Sequence, residues 1–238
     1  MPTVILVRHG RSTANATGVL AGRLPGVHLD DAGVQQAVAV GERLADVRLA
    51  AAVSSPLERC RETTREITSR QAATLRAGTD KQLSECDYGE WQGRALKELA
   101  REKLWKTVQA QPSAATFPGG ESMRAMQDRA VASVRRHDAR VGAEHGPDAV
   151  WLAVSHGDVI KSILADALGT HLDLFQRIHV DPASVSIVRY TESRPFVIGT
   201  NTHAGELSWL TPPRRKARGR RRTDAEVGGG AGPQTGTP

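Results

Sequence analysis

Aromatic side chains are scarce in this chain, at 4% of 238 residues, so its core must be built from Val, Leu, Ile and Ala. Cysteine is nearly absent. The two thiols, Cys60 and Cys86, are read as small core fillers rather than a disulfide framework or redox switch. No apolar run approaches the roughly 20 residues that a membrane span requires, and Met1-Pro2-Thr3 leads straight into a short apolar run rather than a secretory leader. Together these predict a cytoplasmic protein with free thiols.

Several catalytic signatures are also missing. There is no His-Glu-x-x-His or His-x-His, no Gly-x-Ser-x-Gly elbow and no Gly-rich phosphate loop ending in Gly-Lys-Ser/Thr. Common metallohydrolases, serine hydrolases and P-loop nucleotide enzymes therefore find no support. The net charge of +6 suggests nucleic acid at first sight, but its distribution argues otherwise. Residues 211–238 hold seven Lys/Arg against two Asp/Glu, which leaves the rest of the chain at +1. No aromatics interleave the basic run 214–222. Nucleic acid is not expected as a partner beyond weak contacts of this tail.

What is present is an alternation of strands and helices. Thr3–Val7, Ala50–Ser54 and Ala149–Ser155 are continuous apolar runs of the kind found in buried parallel strands. Helical spacing covers 29–46, a segment opening at Pro56, 95–108, 121–144 and 158–168. Residues 185–190 and 196–200 look like a late hairpin, and 75–93 is loop-like. This pattern predicts one domain over residues 1–210, a three-layer α/β/α sandwich with a mostly parallel central sheet, followed by a disordered basic, Gly/Pro-rich tail at 211–238.

In open α/β sheets ligands bind beyond the carboxyl ends of the strands. The first strand ends in Arg8-His9-Gly10, and the third ends in Ser155-His156-Gly157. The second ends in Ser54-Ser55-Pro56, with Arg59 one turn further on. A single histidine at a strand end is more often structural than functional. Two at equivalent places, with two arginines converging, suit a tetrahedral dianion, because guanidinium forks bind phosphate oxygens in pairs. The glycines after each histidine would let backbone N–H groups approach the same oxygens. Adjacent arginines would repel a metal ion, so neither metal nor cofactor is expected.

Five segments, in order, resemble the motifs of the histidine phosphatase superfamily, also called the phosphoglycerate mutase-like family. They are Arg8-His9-Gly10 with Ser12 and Asn15, the stretch 55–63 around Arg59, the stretch 85–93 beginning Glu85-Cys86-Asp87-Tyr88-Gly89, Pro118-Gly119-Gly120-Glu121-Ser122, and Ser155-His156-Gly157. The resemblance implies a phosphoglycerate mutase-like fold and a phosphohistidine formed on His9. It implies that Arg8, Arg59, His156 and Gly157 hold the phosphoryl oxygens with Asn15 assisting, and that Glu85 is the proton donor, preferred to Glu90. Arg11 stands where the family usually has Glu or Gln, and is taken as a solvated surface residue.

Mutases of this family carry a longer insertion with paired arginines after the Glu motif. Here residues 94–117 are short and contain only Lys97, Arg101, Lys103 and Lys106 as cations beyond Arg94. The expectation is therefore a metal-independent phosphomonoesterase acting on a small phosphorylated substrate. A phosphomutase and a non-catalytic phosphate-binding module are the alternatives. A homodimer is expected on base rates alone.

Overall fold

The computed structural model describes residues 2–203, 227, 228 and 230. Six strands form one sheet: β1 (Thr3–Arg8), β2 (Leu49–Ser54), β3 (Ala77–Thr79), β4 (Val150–Ser155), β5 (Val185–Tyr190) and β6 (Pro195–Thr202), in the order β3-β2-β4-β1-β5-β6. β1, β4, β2 and β3 run parallel to their neighbours, while β5 and β6 join antiparallel at one edge. The expected late hairpin is this β5–β6 pair.

The β-period of 2 sorts the strand side chains to two faces. Ile5 and Val7 of β1, with Leu152 and Val154 of β4, pack on Val40 of α2 (Asp31–Arg43) and Ile67 of α3 (Glu58–Thr68). Val4, Leu6, Trp151 and Ala153 face the other way. They pack with Val134 of α6 (Met123–His145) and Ile160 and Ile163 of α7 (Gly157–Ala167). The result is the expected three-layer α/β/α sandwich, both faces of whose sheet are covered. Among the described residues no helix is long and apolar enough to cross a membrane.

Helix boundaries follow local capping chemistry. Asp30 accepts from the Gly33 N–H to start α2, and Ser122 accepts from Ala125 N–H to start α6 after the Pro118-Gly119-Gly120 break. Pro56 does not open α3. Leu57 is its N-cap, so Pro56 lies just outside, where its fixed φ shapes the approach. The single helix expected over 95–108 is instead two, Leu96–Leu99 and Lys103–Ala110. Leu99 and Val108 are both fully buried, yet nine residues at about 100° each would place them on opposite faces of one helix. The break lets both face the core.

The short helix α1 (Thr13–Thr17) completes the loop after β1. The disorder expected of the 211–238 tail falls mostly outside the described residues. Val227 and Gly228 belong to that stretch and are packed against the body of the domain.

Candidate functional site

Strand register builds the centre of the site. Arg8 of β1 pairs with Ser155 of parallel β4, so the next residue on each strand, His9 and His156, emerge side by side. Their ring centroids are 5.2 Å apart at an interplanar angle of 64°. His9 N–H donates to the Ser155 carbonyl at 3.0 Å, which locks this alignment. Arg59, in the first turn of α3, reaches across both rings. Its Nε–H donates to His9 Nε2 at 3.2 Å and its second terminal nitrogen contacts His156 Nδ1 at 3.2 Å and the Gly22 carbonyl at 2.8 Å.

These contacts fix the protonation pattern. His9 Nδ1 lies 2.7 Å from the Gly10 carbonyl, which can only accept. Its proton therefore sits on Nδ1, and the Nε2 lone pair is available. Arginine can only donate, so His156 Nδ1 accepts and its Nε2–H donates to Ser55 Oγ at 2.8 Å. Burial, reinforced by Arg59, holds the pKa of each imidazole well below the usual histidine value. Both rings are neutral at neutral pH.

Arg8, Arg59 and His156 are buried, as is His9 at 3% exposure. Arg8 donates to the Val180 carbonyl at 2.9 Å. Among the described residues, the terminal Nη1 of Arg59 is buried without a hydrogen-bond partner. A buried, unpaired guanidinium donor is costly unless an anion is meant to meet it.

Glu85 lines the same cleft as His9, Asn15 and Arg59 and is 3% exposed. Burial, and then the neighbouring carboxylate of Asp158, push its pKa up to about 7. Its backbone is held from outside the cleft: the Glu85 carbonyl accepts from Arg23 Nε at 2.8 Å and from Arg129 at 3.0 Å. Both arginines are clamped by Glu121, at 2.7 and 2.6 Å, and Glu121 also accepts from Asp87 N–H. This explains two of the glycines in the 85–93 and 118–122 segments. A Cβ on Gly89 would meet the Pro118 carbonyl at 2.1 Å, and one on Gly120 the Asp87 carbonyl at 2.2 Å, so the two segments interlock only with glycine.

Asn15 lines the cleft but also serves the α1 capping box. Its Oδ1 accepts from Ser12 N–H at 3.1 Å and from Ser12 Oγ at 2.8 Å, leaving its amide N–H groups as the donors. Gly157 is the first residue of α7, at the positive end of that helix. Gly10 has a different role from the one expected. Its N–H is spent on Thr63 Oγ1 at 3.1 Å, and a Cβ there would lie 2.4 Å from the Gly33 carbonyl. It is required for packing the loop on α2, not for donating to a ligand.

Arg11 is partly exposed, and its Nε pairs with Asp30 at 2.7 Å. Glu90 is exposed, away from the cleft. Cys60 and Cys86 are free and fully buried, as core fillers should be, and burial pushes the Cys60 thiol up to about 12. Among the described residues no group of three or more His, Cys, Asp or Glu is arranged to hold a metal.

Sequence reasoning passed over Asp158 and the side-chain role of Tyr88. Tyr88 donates its hydroxyl to Asp158 Oδ2 at 2.8 Å, and both are fully buried beside Glu85. An acidic residue in the first turn of a helix that begins at a site histidine was the available signal. Val19–Gly22, Tyr88, Val227 and Gly228 complete the lining of the cleft.

The model of the histidine phosphatase superfamily (branch 1) matches residues 4–203. Phosphoserine phosphatase 1 of Hydrogenobacter thermophilus is 30% identical over 212 residues, covering 87% of this chain and 96% of that protein. A probable phosphoglycerate mutase of Salmonella choleraesuis is 30% identical over 217 residues, covering 90% and 97%. The chain spans about half the length of the curated mycobacterial relatives it matches. In fold it is similar to a putative alpha-ribazole-5′-P phosphatase of Escherichia coli, with a TM-score of 0.73 at 24% identity, covering 86% of this chain and 98% of the other. The chain belongs to the histidine phosphatase superfamily, branch 1, whose members it resembles here include both phosphatases and mutase-like enzymes.

Proposed function

We propose that this enzyme is a metal-independent phosphomonoesterase that works through a phosphohistidine on His9. The observation that carries the reading is the arrangement of Arg59. One guanidinium spans a neutral His9 and a neutral His156 and keeps a buried donor that is unpaired among the described residues, next to a carboxyl group that remains protonated to about pH 7.

In the first half-reaction His9 Nε2 attacks phosphorus and the ester P–O bond breaks. Glu85 gives its proton to the departing oxygen, so an alcohol leaves rather than an alkoxide. The new phosphoimidazolium keeps its Nδ1–H on the Gly10 carbonyl. Arg8, Arg59, His156 and the Gly157 N–H hold the three equatorial oxygens, with Asn15 assisting, where charge stabilisation matters most. In the second half-reaction Glu85, now a carboxylate, takes a proton from water. The oxygen attacks phosphorus, the N–P bond breaks, and inorganic phosphate leaves with both His9 and Glu85 restored.

Phosphatase is favoured over mutase by the cations of residues 94–117. Lys97, Arg101, Lys103 and Lys106 are all exposed, and none lines the cleft. A mutase must hold a diphosphorylated intermediate while it reorients, which calls for cations above the site. Phosphoserine and phosphoglycerate esters are the substrate classes that the similarity to named relatives supports, and a cytoplasmic setting with no resident cofactor fits the proposed chemistry.

The test is turnover of an aryl phosphate in excess chelator, beside His9→Ala. Chelator-resistant turnover that vanishes in the variant supports the proposal. Turnover that chelator removes and His9→Ala retains refutes it.

A further inference from the structure

Val227 and Gly228 lie far along the chain from β6, yet they line the same cleft as His9, Asn15, Arg59 and Glu85. Val227 is 1% exposed and belongs to the apolar cluster that contains Leu20 and Tyr88. Gly228 N–H donates to Asp158 Oδ2 at 2.9 Å, the same oxygen that takes the Tyr88 hydroxyl. Gly228 has a φ of 76°, and a Cβ there would lie 2.9 Å from the Leu20 side chain. The segment therefore uses a residue that the position demands, one buried apolar anchor and one hydrogen bond to a buried carboxylate.

With the segment seated, the space left in the cleft is about 20 Å³, room for roughly one water. A phosphomonoester needs far more. Residues 204–226 supply ample chain to connect it, since 23 extended residues reach about 75 Å.

We infer that Val227–Gly228 is an intramolecular plug: the chain's own C-terminal segment occupies the side of the cleft where the leaving group of a phosphomonoester must sit, and it must withdraw before substrate binds. This rests on the proposed phosphatase reading only for where the leaving group sits. The apolar wall of Leu20 and Tyr88 and the acceptor on Asp158 are then the surfaces that a leaving group takes over from Val227 and Gly228. A leaving group with a hydroxyl or ammonium donor beside a small apolar part fits them. An enzyme competent only when the plug is out has its apparent affinity lowered by the fraction of time the plug is in.

The full-length protein, Gly228→Val, Val227→Asp and a chain ending at Leu210 are compared for kcat/KM on an aryl phosphate. A side chain at Gly228 is strained in the left-handed region, and an acid at Val227 would be buried beside Asp158, so both release the plug without touching the reacting groups. All three changes raise kcat/KM by about tenfold if the plug is seated about nine-tenths of the time. Unchanged values overturn the plug. Lower values also overturn it, because they make the segment a part of the working cleft.

Hydrogen exchange at Val227 and Gly228 decides the matter without turnover. Slow exchange in the full-length protein that becomes fast in Gly228→Val supports the plug even if no substrate is hydrolysed. Fast exchange in both overturns it, whatever becomes of the phosphatase reading.

Discussion

Arg59 Nε–H donates to His9 Nε2, the nitrogen that attacks phosphorus in the proposed mechanism. The Nε2 lone pair, free of a proton, thus accepts from the guanidinium, which holds the ring in place. An entering phosphoryl group offers better acceptors, and the same donors transfer to its oxygens.

In the proposed mechanism, replacing Arg59 removes an oxyanion ligand together with the ring's support. Arg59→Lys keeps the charge but loses the fork that spans both histidines, so kcat/KM is expected to fall by about 10²-fold in steady-state assays. A fall of less than threefold would show that Arg59 acts only as a point charge.

In the proposed mechanism the Glu85 carboxyl sets the alkaline limb of the pH profile. Its pKa is about 7 because of burial first and Asp158 second. Proton donation is lost as pH rises, so kcat/KM should decline above about pH 7. Asp158→Asn removes a neighbouring negative charge and should move that limb to lower pH. Glu85→Gln should abolish the limb and cost about 10²- to 10³-fold on alkyl phosphates, with a smaller loss on aryl phosphates whose oxygen leaves unaided.

The same shift affects stability. A carboxyl whose pKa is raised on folding stabilises the native state fully below its unfolded value of 4.5, and loses that contribution as pH rises through about 7. Glu85→Gln should accordingly raise Tm at pH 8 by a few degrees relative to the parent, and not at pH 4.5. Calorimetric scans at the two pH values check this; an equal change at both would contradict it.

His156 is neutral in the free protein, with Nδ1 facing Arg59 as an acceptor. To hold a phosphate oxygen, that nitrogen must become a donor. Binding of phosphate or vanadate should then take up a proton near neutral pH, and His156→Gln should abolish the uptake. Titration calorimetry in buffers of differing ionisation enthalpy measures it directly.

Gly10→Ala places a Cβ 2.4 Å from a backbone carbonyl that has no room to move, whereas Gly78→Ala meets nothing closer than 4.0 Å. The first should lower unfolding free energy by about 1–3 kcal/mol in urea titrations and the second should be close to neutral.

The strands and the centre of the site were legible in the sequence for one physical reason. A buried parallel strand is a continuous apolar run, and its last residue marks where a ligand site begins, so His9, Arg59 and His156 could be placed together before any geometry. What escaped was set by tertiary packing. The division of 95–108 into two helices depends on Leu99 and Val108 sharing one core. The role of Gly10 depends on its approach to Gly33. Asp158 looks like an ordinary helix-start acid until Tyr88 and Glu85 are found buried against it. The seating of Gly228 at Asp158 joins residues 70 apart, and nothing in a Gly-rich stretch announces it.

The most direct test of the account is to trap the intermediate. The protein is mixed with a phosphomonoester and quenched in alkali within milliseconds, and intact mass and peptide mapping follow. The account predicts one added phosphoryl group on His9, stable in alkali, labile in acid, and absent in His9→Ala. Burst release of the alcohol without any phosphoryl group on the protein, or a label on another residue, would contradict it.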